Sequence, residues 1–481
     1  MSFISYEFLV LLAFVFVAVW SLPHRIANLV LLAASYIFYG WWDWRFLLLL
    51  LTSSVIDFQC GRLLDGKVAE HRRKNVLLVS AVANLGTLGL FKYFDFFSES
   101  FNEILVWFNC DPRAPILKLV LPVGISFYTF QTLSYSIDVY RRKIAATSNF
   151  ADFLLYVSFF PQLVAGPIER ADRLLPQISS PRGFNWQRIV AGLQLMLVGF
   201  FKKMVIADNL AIVVDRTFNS DSTNGLEICL ATYAFAFQIY CDFSGYTDIA
   251  RGVARSLGFE LCLNFNLPYF ASNPTDFWRR WHISLSTWIR DYLYIPLGGN
   301  RSGTVWQVRN LAITMLLAGL WHGASWHFVI WGLYHAGLLI GYRVVFGWRS
   351  KGQGERDQVG KKSTVRNLAG HFLAVCFFFQ LTCIGWLVFR AESVSQLFQY
   401  FTSLCEFGSW KVSALEVDLA YRLSLLALPL LLFQVYQALR KDLEPWVSWS
   451  PITRMCFYVA LFYGIVLLGA PERNEFIYFQ F

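Results

Sequence analysis

Charge is scarce in this sequence. Asp, Glu, Lys and Arg make up 15% of its 481 residues while 56% are hydrophobic, and ordinary soluble domains carry about 25% charged residues. That deficit excludes a chain built to surround one core with a water-facing shell, and it excludes a disordered, charge-rich chain as well. The nine cysteines show no CxxC pair and no zinc-type spacing, so neither a disulfide scaffold nor a metal module is indicated. Cys60, Cys241, Cys376 and Cys383 sit in or beside apolar runs and read as inert small hydrophobes. There is no GxSxG elbow, no Walker A loop and no Rossmann fingerprint, which argues against a serine hydrolase, an ATP-driven pump and a dehydrogenase. The N-terminal stretch lacks the basic region and small-residue cleavage site of a signal peptide, so residues 3–22 are expected to be kept as a helix.

What is present is long apolar sequence. Residues 9–20, 29–39, 46–56 and 372–389 carry no charge at all. A bilayer core needs roughly 20 mostly apolar residues per helix, and the chain has room for about eleven such segments. Aromatic residues reach 18%, with Trp41, Trp42, Trp44, Tyr93 and Trp348 near the ends of apolar runs, where an interfacial belt belongs. The expected fold is therefore all-α: a polytopic integral membrane protein in contact with membrane lipids. The net charge of +9 then reflects cytoplasmic loops rather than nucleic acid.

Loop charge gives a topology. Residues 62–74 hold Arg62, Lys67, Arg72, Arg73 and Lys74, and residues 347–367 hold Arg349, Lys351, Arg356, Lys361, Lys362 and Arg366. Both loops are expected in the cytoplasm by the positive-inside rule. Three apolar segments precede the first loop, which puts the N-terminus outside. Residues 119–140 return inward to Arg141, Arg142 and Lys143, and counting from the second loop puts residues 471–481 outside too. A membrane domain over 1–470 and a periplasmic tail over 471–481 follow. The middle is irregular: residues 152–167 are short, 189–207 are interrupted by Lys202 and Lys203, and 226–252 carry Asp242 and Asp248 in an apolar run. Broken helices at membrane depth are tolerated where they are buried in protein or line a wet cavity. Interfacial and re-entrant helices around a central funnel or tunnel are expected there.

Ionisable groups in a bilayer are costly, so each is a functional candidate. His322 stands in residues 311–327, a run without Lys, Arg, Asp or Glu. An imidazole titrating near neutrality can take a proton from a hydroxyl and return it, which suits acyl transfer; a buried histidine bonded to a carbonyl is the structural alternative. Gly319 and Gly323 flank it and are expected to leave room for a substrate, with Trp321 alongside. His327 and His335 in the same stretch read as structural, and no metal site is expected from the three. Residues 273–294 mix Trp, Arg and Ser at helical spacing, with Asn273 or Thr275 as N-cap before Asp276, and fit a helix lying in the interface. Arg279, Arg280 and Arg290 suit the phosphates of a nucleotide-type donor, or equally a solvated face near lipid headgroups. His282 is a second catalytic group or an interfacial histidine. Asp242, Ser244 and Asp248 suggest a polar cavity wall; a proton pathway would look similar.

Five stretches together resemble the membrane-bound O-acyltransferase family, specifically its bacterial alginate O-acetylation branch: LPVGISFYTFQ at 121–131, PQLVAGPI at 161–168, YCDFSGYTD at 240–248, DFWRRWHISLSTWIRDYLYIPLGGNR at 276–301 and LWHGA at 320–324. The resemblance covers roughly residues 5–392, and the 276–301 block is its most specific part. It implies two histidines, here His322 and His282, the first essential. It implies a tunnel from a cytosolic donor side to an extracytoplasmic acceptor side. The substrate- and donor-binding candidates of this sequence are Asp276, Arg279, Arg280, Asp242, Ser244 and Trp321. The resemblance implies acetyl-CoA as donor, no bound cofactor, an exported polysaccharide as acceptor, a bacterial inner membrane, a periplasmic partner of the SGNH-hydrolase type and a polysaccharide synthesis and export complex. The tail FIYFQF at 476–481 resembles a C-terminal motif of bacterial acyl-transfer systems in which a tyrosine, here Tyr478, carries the acyl group. A transporter or flippase with intramembrane Asp and His residues as proton couplers is the competing reading, and a non-catalytic scaffold a third.

Overall fold

The computed structural model describes residues 1–66, 69–164, 166–220, 224–301, 303–346, 365–470 and 476–477, with the backbone alone for 365–368. The regular structure of the described residues is all helical, with no strand among them. They form two compact units, Met1–Phe200 with Tyr246–Cys262 and Phe201–Gly245 with Leu263–Phe481.

The first unit is built from α1 (Tyr6–Ser21), α2 (His24–Gly40), α3 (Leu47–Asp65), α4 (Glu70–Leu88), α5 (Phe94–Trp107), α6 (Ile125–Tyr140), the short α7 (Phe150–Ser158), α8 (Phe160–Leu163) and α9 (Ala171–Ser179), and α10 (Trp186–Phe200). A buried carboxylate ties three of these together. Asp57 of α3 accepts hydrogen bonds from Ser80 and Asn84 of α4 at 2.5 and 2.6 Å and from Ser136 of α6 at 2.6 Å. In hydrocarbon such interhelical bonds add to packing, because the hydrophobic effect does not drive helices together there. At one end of the unit Arg73 donates to the carbonyls of Leu64 and Tyr140. The end of α3, the start of α4 and the end of α6 therefore meet there.

The second unit comprises α11 (Asp208–Phe218), the first part of α12 (Gly225–Ser256), α13 (Pro274–Trp278), α14 (Ile283–Ile289), α15 (Thr304–His322), α16 (Trp326–Phe346), α17 (Val365–Arg390), α18 (Val394–Cys405), α19 (Ala414–Arg440) and α20 (Pro451–Leu468). Asp242 and Ser244 fall in this part of α12, Asp248 in the part assigned to the first unit.

Eight helices among the described residues are long and apolar enough to cross a bilayer, fewer than the roughly eleven segments that apolar length allows. The difference lies in elements such as α1, apolar but only 16 residues long. Large apolar side chains stay exposed along α19 and α20, Leu428, Leu432, Phe462 and Leu467 among them. Such a surface would be an aggregation hazard in water and is the normal lipid face of a multi-pass membrane protein. The basic segment 347–367 lies outside the described residues, apart from the backbone of the first turn of α17.

The glycines around His322 do something other than what their small size suggested. A Cβ on Gly319 would collide with the Phe328 carbonyl oxygen, one on Gly323 with the Phe328 ring, and one on Gly332 with the Met315 carbonyl. Gly319 and Gly332 bring α15 and α16 into backbone contact, and Gly323 faces the Phe328 ring, instead of leaving space for a substrate. Gly319→Ala or Gly332→Ala should push the two helices apart at a cost of about 1–3 kcal/mol. The expected readout is a clearly lowered melting temperature in detergent, and an unchanged one would contradict the close-contact reading.

Candidate functional site

His322 is the last residue of α15; Gly323 after it is extended and ends the helix. The imidazole is 4% exposed and walled by aromatic rings: Trp321, Trp331 and Phe389 have centroids 5.0, 4.9 and 5.4 Å away. Three helices supply this wall, because Trp331 belongs to α16 and Phe389 to α17. The result is a buried histidine at a helix C-terminus, packed among aromatic rings.

His282 also neighbours Trp321, with its ring centroid 5.7 Å from that of the indole, so both histidines pack on the same tryptophan. The segment 273–294 is not the continuous interfacial helix that its spacing predicts. Asn273 caps α13 by accepting from the Asp276 amide at 2.9 Å, as expected. The helix then stops, and His282 takes a left-handed conformation at φ 41° and ψ 57°. A non-glycine residue there stores strain that the surroundings must hold, and such positions cluster at functional sites. Here Asn264 does the holding: its side-chain oxygen accepts from the Ser284 hydroxyl at 2.6 Å, and its carbonyl accepts from the Ile283 amide at 3.0 Å. After α14 a π-helical turn, Arg290–Tyr294, completes the segment. His282 is fully buried, and burial pushes its pKa down from its ordinary value to about 3. Burial therefore disfavours its charged form.

Phe243 of α12 packs on His282 at 4.7 Å and on Phe476 at 5.5 Å. Its neighbour Asp242 accepts from the Ile477 amide at 2.7 Å. Phe476 and Ile477, the described residues of the stretch 471–481, are buried. Tyr478 lies outside the described residues. Asp242 also pairs with Lys203 at 2.8 Å, which accounts for a carboxylate inside an apolar helix without any ligand. Lys203 sits in a π-helical turn, Phe201–Ala207, where the sequence is interrupted by its lysine pair. Ser244 is buried one residue beyond Phe243.

The arginines separate. Arg280 is held by Asp276 at 2.8 Å and reaches the Asn266 carbonyl at 3.3 Å, Arg290 pairs with Asp291 at 2.7 Å, and Arg279 is exposed. His327 bonds Ser325 at 2.8 Å. His335 is buried against Phe277, Trp278 and Trp331; both fit structural roles. Sequence reasoning passed over Asn264, Trp331, Phe389 and the Lys203–Asp242 pair. The last had a signal, since two opposite charges in apolar segments are costly unless they meet.

The family model described as MBOAT, membrane-bound O-acyltransferase family, matches residues 36–360. The chain is similar to a protein of Azotobacter vinelandii named "Probable alginate O-acetylase AlgI", with 39% identity over 98% of this chain and 88% of that one. It is 31% identical to the "Peptidoglycan O-acetyltransferase" of Helicobacter pylori over 94% and 91% of the two chains. It is 27% identical to the "Teichoic acid D-alanyltransferase" of Bacillus subtilis over 69% and 82%.

Proposed function

Since the chain belongs to the membrane-bound O-acyltransferase family and is an O-acyltransferase, we propose that it takes acetyl groups from cytosolic acetyl-CoA and delivers them across a bacterial inner membrane for O-acetylation of an exported polysaccharide, alginate first among the candidates. The observation that carries this reading is His322, buried at the end of α15 among Trp321, Trp331 and Phe389. A histidine in such a site acts as general base and then acid. It takes the proton of an acceptor hydroxyl as the oxygen bonds to the acetyl carbonyl carbon. The C–S bond of the thioester breaks, and the imidazolium returns the proton to the coenzyme A thiolate. His282, on the same tryptophan as His322, is the second catalytic histidine of this reading.

The acceptor hydroxyl that this reading favours is Tyr478, two residues past the buried Phe476. A separate periplasmic partner of the SGNH-hydrolase type then moves acetyl from the tyrosyl ester to the polymer within a synthesis and export complex. Both termini are periplasmic in this scheme and residues 62–74 and 347–367 cytoplasmic, by the positive-inside rule. The proton-coupled transporter is less well supported. Asp242 is committed to Lys203 and the Ile477 amide, and Asp248 faces Arg251 at 3.7 Å.

The donor is testable through the arginines. Arg280 is engaged by Asp276 while Arg279 is exposed, and a guanidinium fork suits phosphate better than an ammonium does. Arg279→Lys is expected to raise the KM for acetyl-CoA several-fold with little change in melting temperature. Arg280→Lys is expected to act mainly on stability. With acetyl-labelled acetyl-CoA in inverted membrane vesicles, no label transfer at all, or an unchanged KM for Arg279→Lys, would count against this donor and this mouth.

A further inference from the structure

Two carboxylates and one ammonium meet beneath the C-terminal segment. Lys203 Nζ is 2.7 Å from Asp208 Oδ1 and 2.8 Å from Asp242 Oδ1, and the three residues are 2–3% exposed. Each stands in an apolar helical stretch, where an ion is tolerated only if paired. The π-helical turn Phe201–Ala207 carries Lys203, and Asp208 opens α11 directly after it. The second oxygen of Asp242 faces elsewhere: Oδ2 accepts the main-chain N–H of Ile477. A carboxylate held on one oxygen by an ammonium presents the other in a fixed direction, and a charge-assisted bond to a backbone amide is among the stronger hydrogen bonds available. The next residue, Phe243, touches both His282 and Phe476, so the fixed point of the tail is one residue from the wall of the second histidine.

We propose that the Asp208–Lys203–Asp242 triad is a clasp, with Asp242 as a positioning residue that holds the C-terminal segment against the His282 wall through the Ile477 amide. This rests on the reading of the chain as an acetyltransferase whose tail takes part in the transfer. Lys203 fixes the Asp242 rotamer, and Asp208 fixes Lys203. The grip is on the main chain, so it sets where the tail runs whatever side chain occupies position 477.

Ile477→Pro removes the donated N–H and leaves the triad whole, while Ile477→Ala keeps the N–H and removes most of the side chain. Each is combined with Phe476→Cys in the full-length protein in detergent, beside Phe476→Cys alone. The rate of N-ethylmaleimide modification at position 476 is followed by peptide mass spectrometry. The clasp predicts slow modification with Ile477 unchanged and with Ile477→Ala, and modification at least tenfold faster with Ile477→Pro. Equal rates overturn it. In vesicles without the cysteine change, Ile477→Pro should lower kcat at least tenfold and leave the KM for acetyl-CoA unchanged, with Ile477→Ala near the wild-type value. A released tail with wild-type turnover overturns the positioning role. The labelling readout needs no turnover, so a clasp that is present in a protein that transfers no acetyl refutes the acetyltransfer reading and not the clasp. Asp242→Ala should release the tail as Ile477→Pro does; should it fail to accumulate, the proline variant still decides.

Discussion

Replacing His322 with glutamine is expected to lower acetyl transfer to polymer by about 10²–10⁴-fold, the usual worth of a positioned general base, while the protein accumulates in the membrane as before. Glutamine is close to histidine in volume, so the aromatic wall of Trp321, Trp331 and Phe389 keeps a partner to pack against. It can form hydrogen bonds but cannot hold a proton in the physiological range. Alanine in the same place also removes the base but leaves a hole, and buried large-to-small changes cost about 2–5 kcal/mol. The glutamine variant is therefore the cleaner instrument. Acetyl content of the purified polymer, measured by proton NMR, gives the result. Near-normal acetylation in His322→Gln would remove the histidine from the chemistry and leave it a structural role only.

The second large effect is expected at Tyr478. Phenylalanine there keeps nearly all of the aromatic surface and removes only the hydroxyl, so it separates chemistry from anchoring. In the proposed scheme the phenol, with an unperturbed pKa near 10, gives its proton to His322 as its oxygen bonds to the acetyl carbon. The resulting aryl ester passes the acetyl group to a partner's nucleophile and returns to the phenol. Tyr478→Phe should stop polymer acetylation as fully as His322→Gln. Normal acetylation in this variant, with loss on deleting residues 476–481, would make the tail a docking element and nothing more.

Much of this was legible in the sequence for simple physical reasons. Apolar runs, basic loops and a charge deficit imply membrane helices whatever their arrangement, and a capping asparagine before Asp276 acts locally. Lys202 and Lys203 marked an irregular segment because two charges interrupt an apolar run and must find partners, and a π-helical turn stands there. What could not be read depends on partners distant in sequence. The left-handed turn at His282 is held by Asn264, eighteen positions earlier, and periodicity within 273–294 contains no trace of it. The glycines beside His322 read as open space because their facing residues, Phe328 and Met315, become neighbours only when α15 and α16 close. The Ile477 contact to Asp242 is made by the main chain, which has no residue-specific signature at all.

The central claim is that His322 performs proton transfer in moving acetyl from a coenzyme A thioester to a hydroxyl. The most direct measurement uses purified protein in proteoliposomes, acetyl-labelled acetyl-CoA on the side where residues 62–74 are exposed, and quantitation of free coenzyme A thiol together with label fixed on the protein. Wild-type protein should release thiol and fix label in equal amounts, and His322→Gln should do neither above background. Equal thiol release and label fixation by His322→Gln and wild-type protein would contradict the claim.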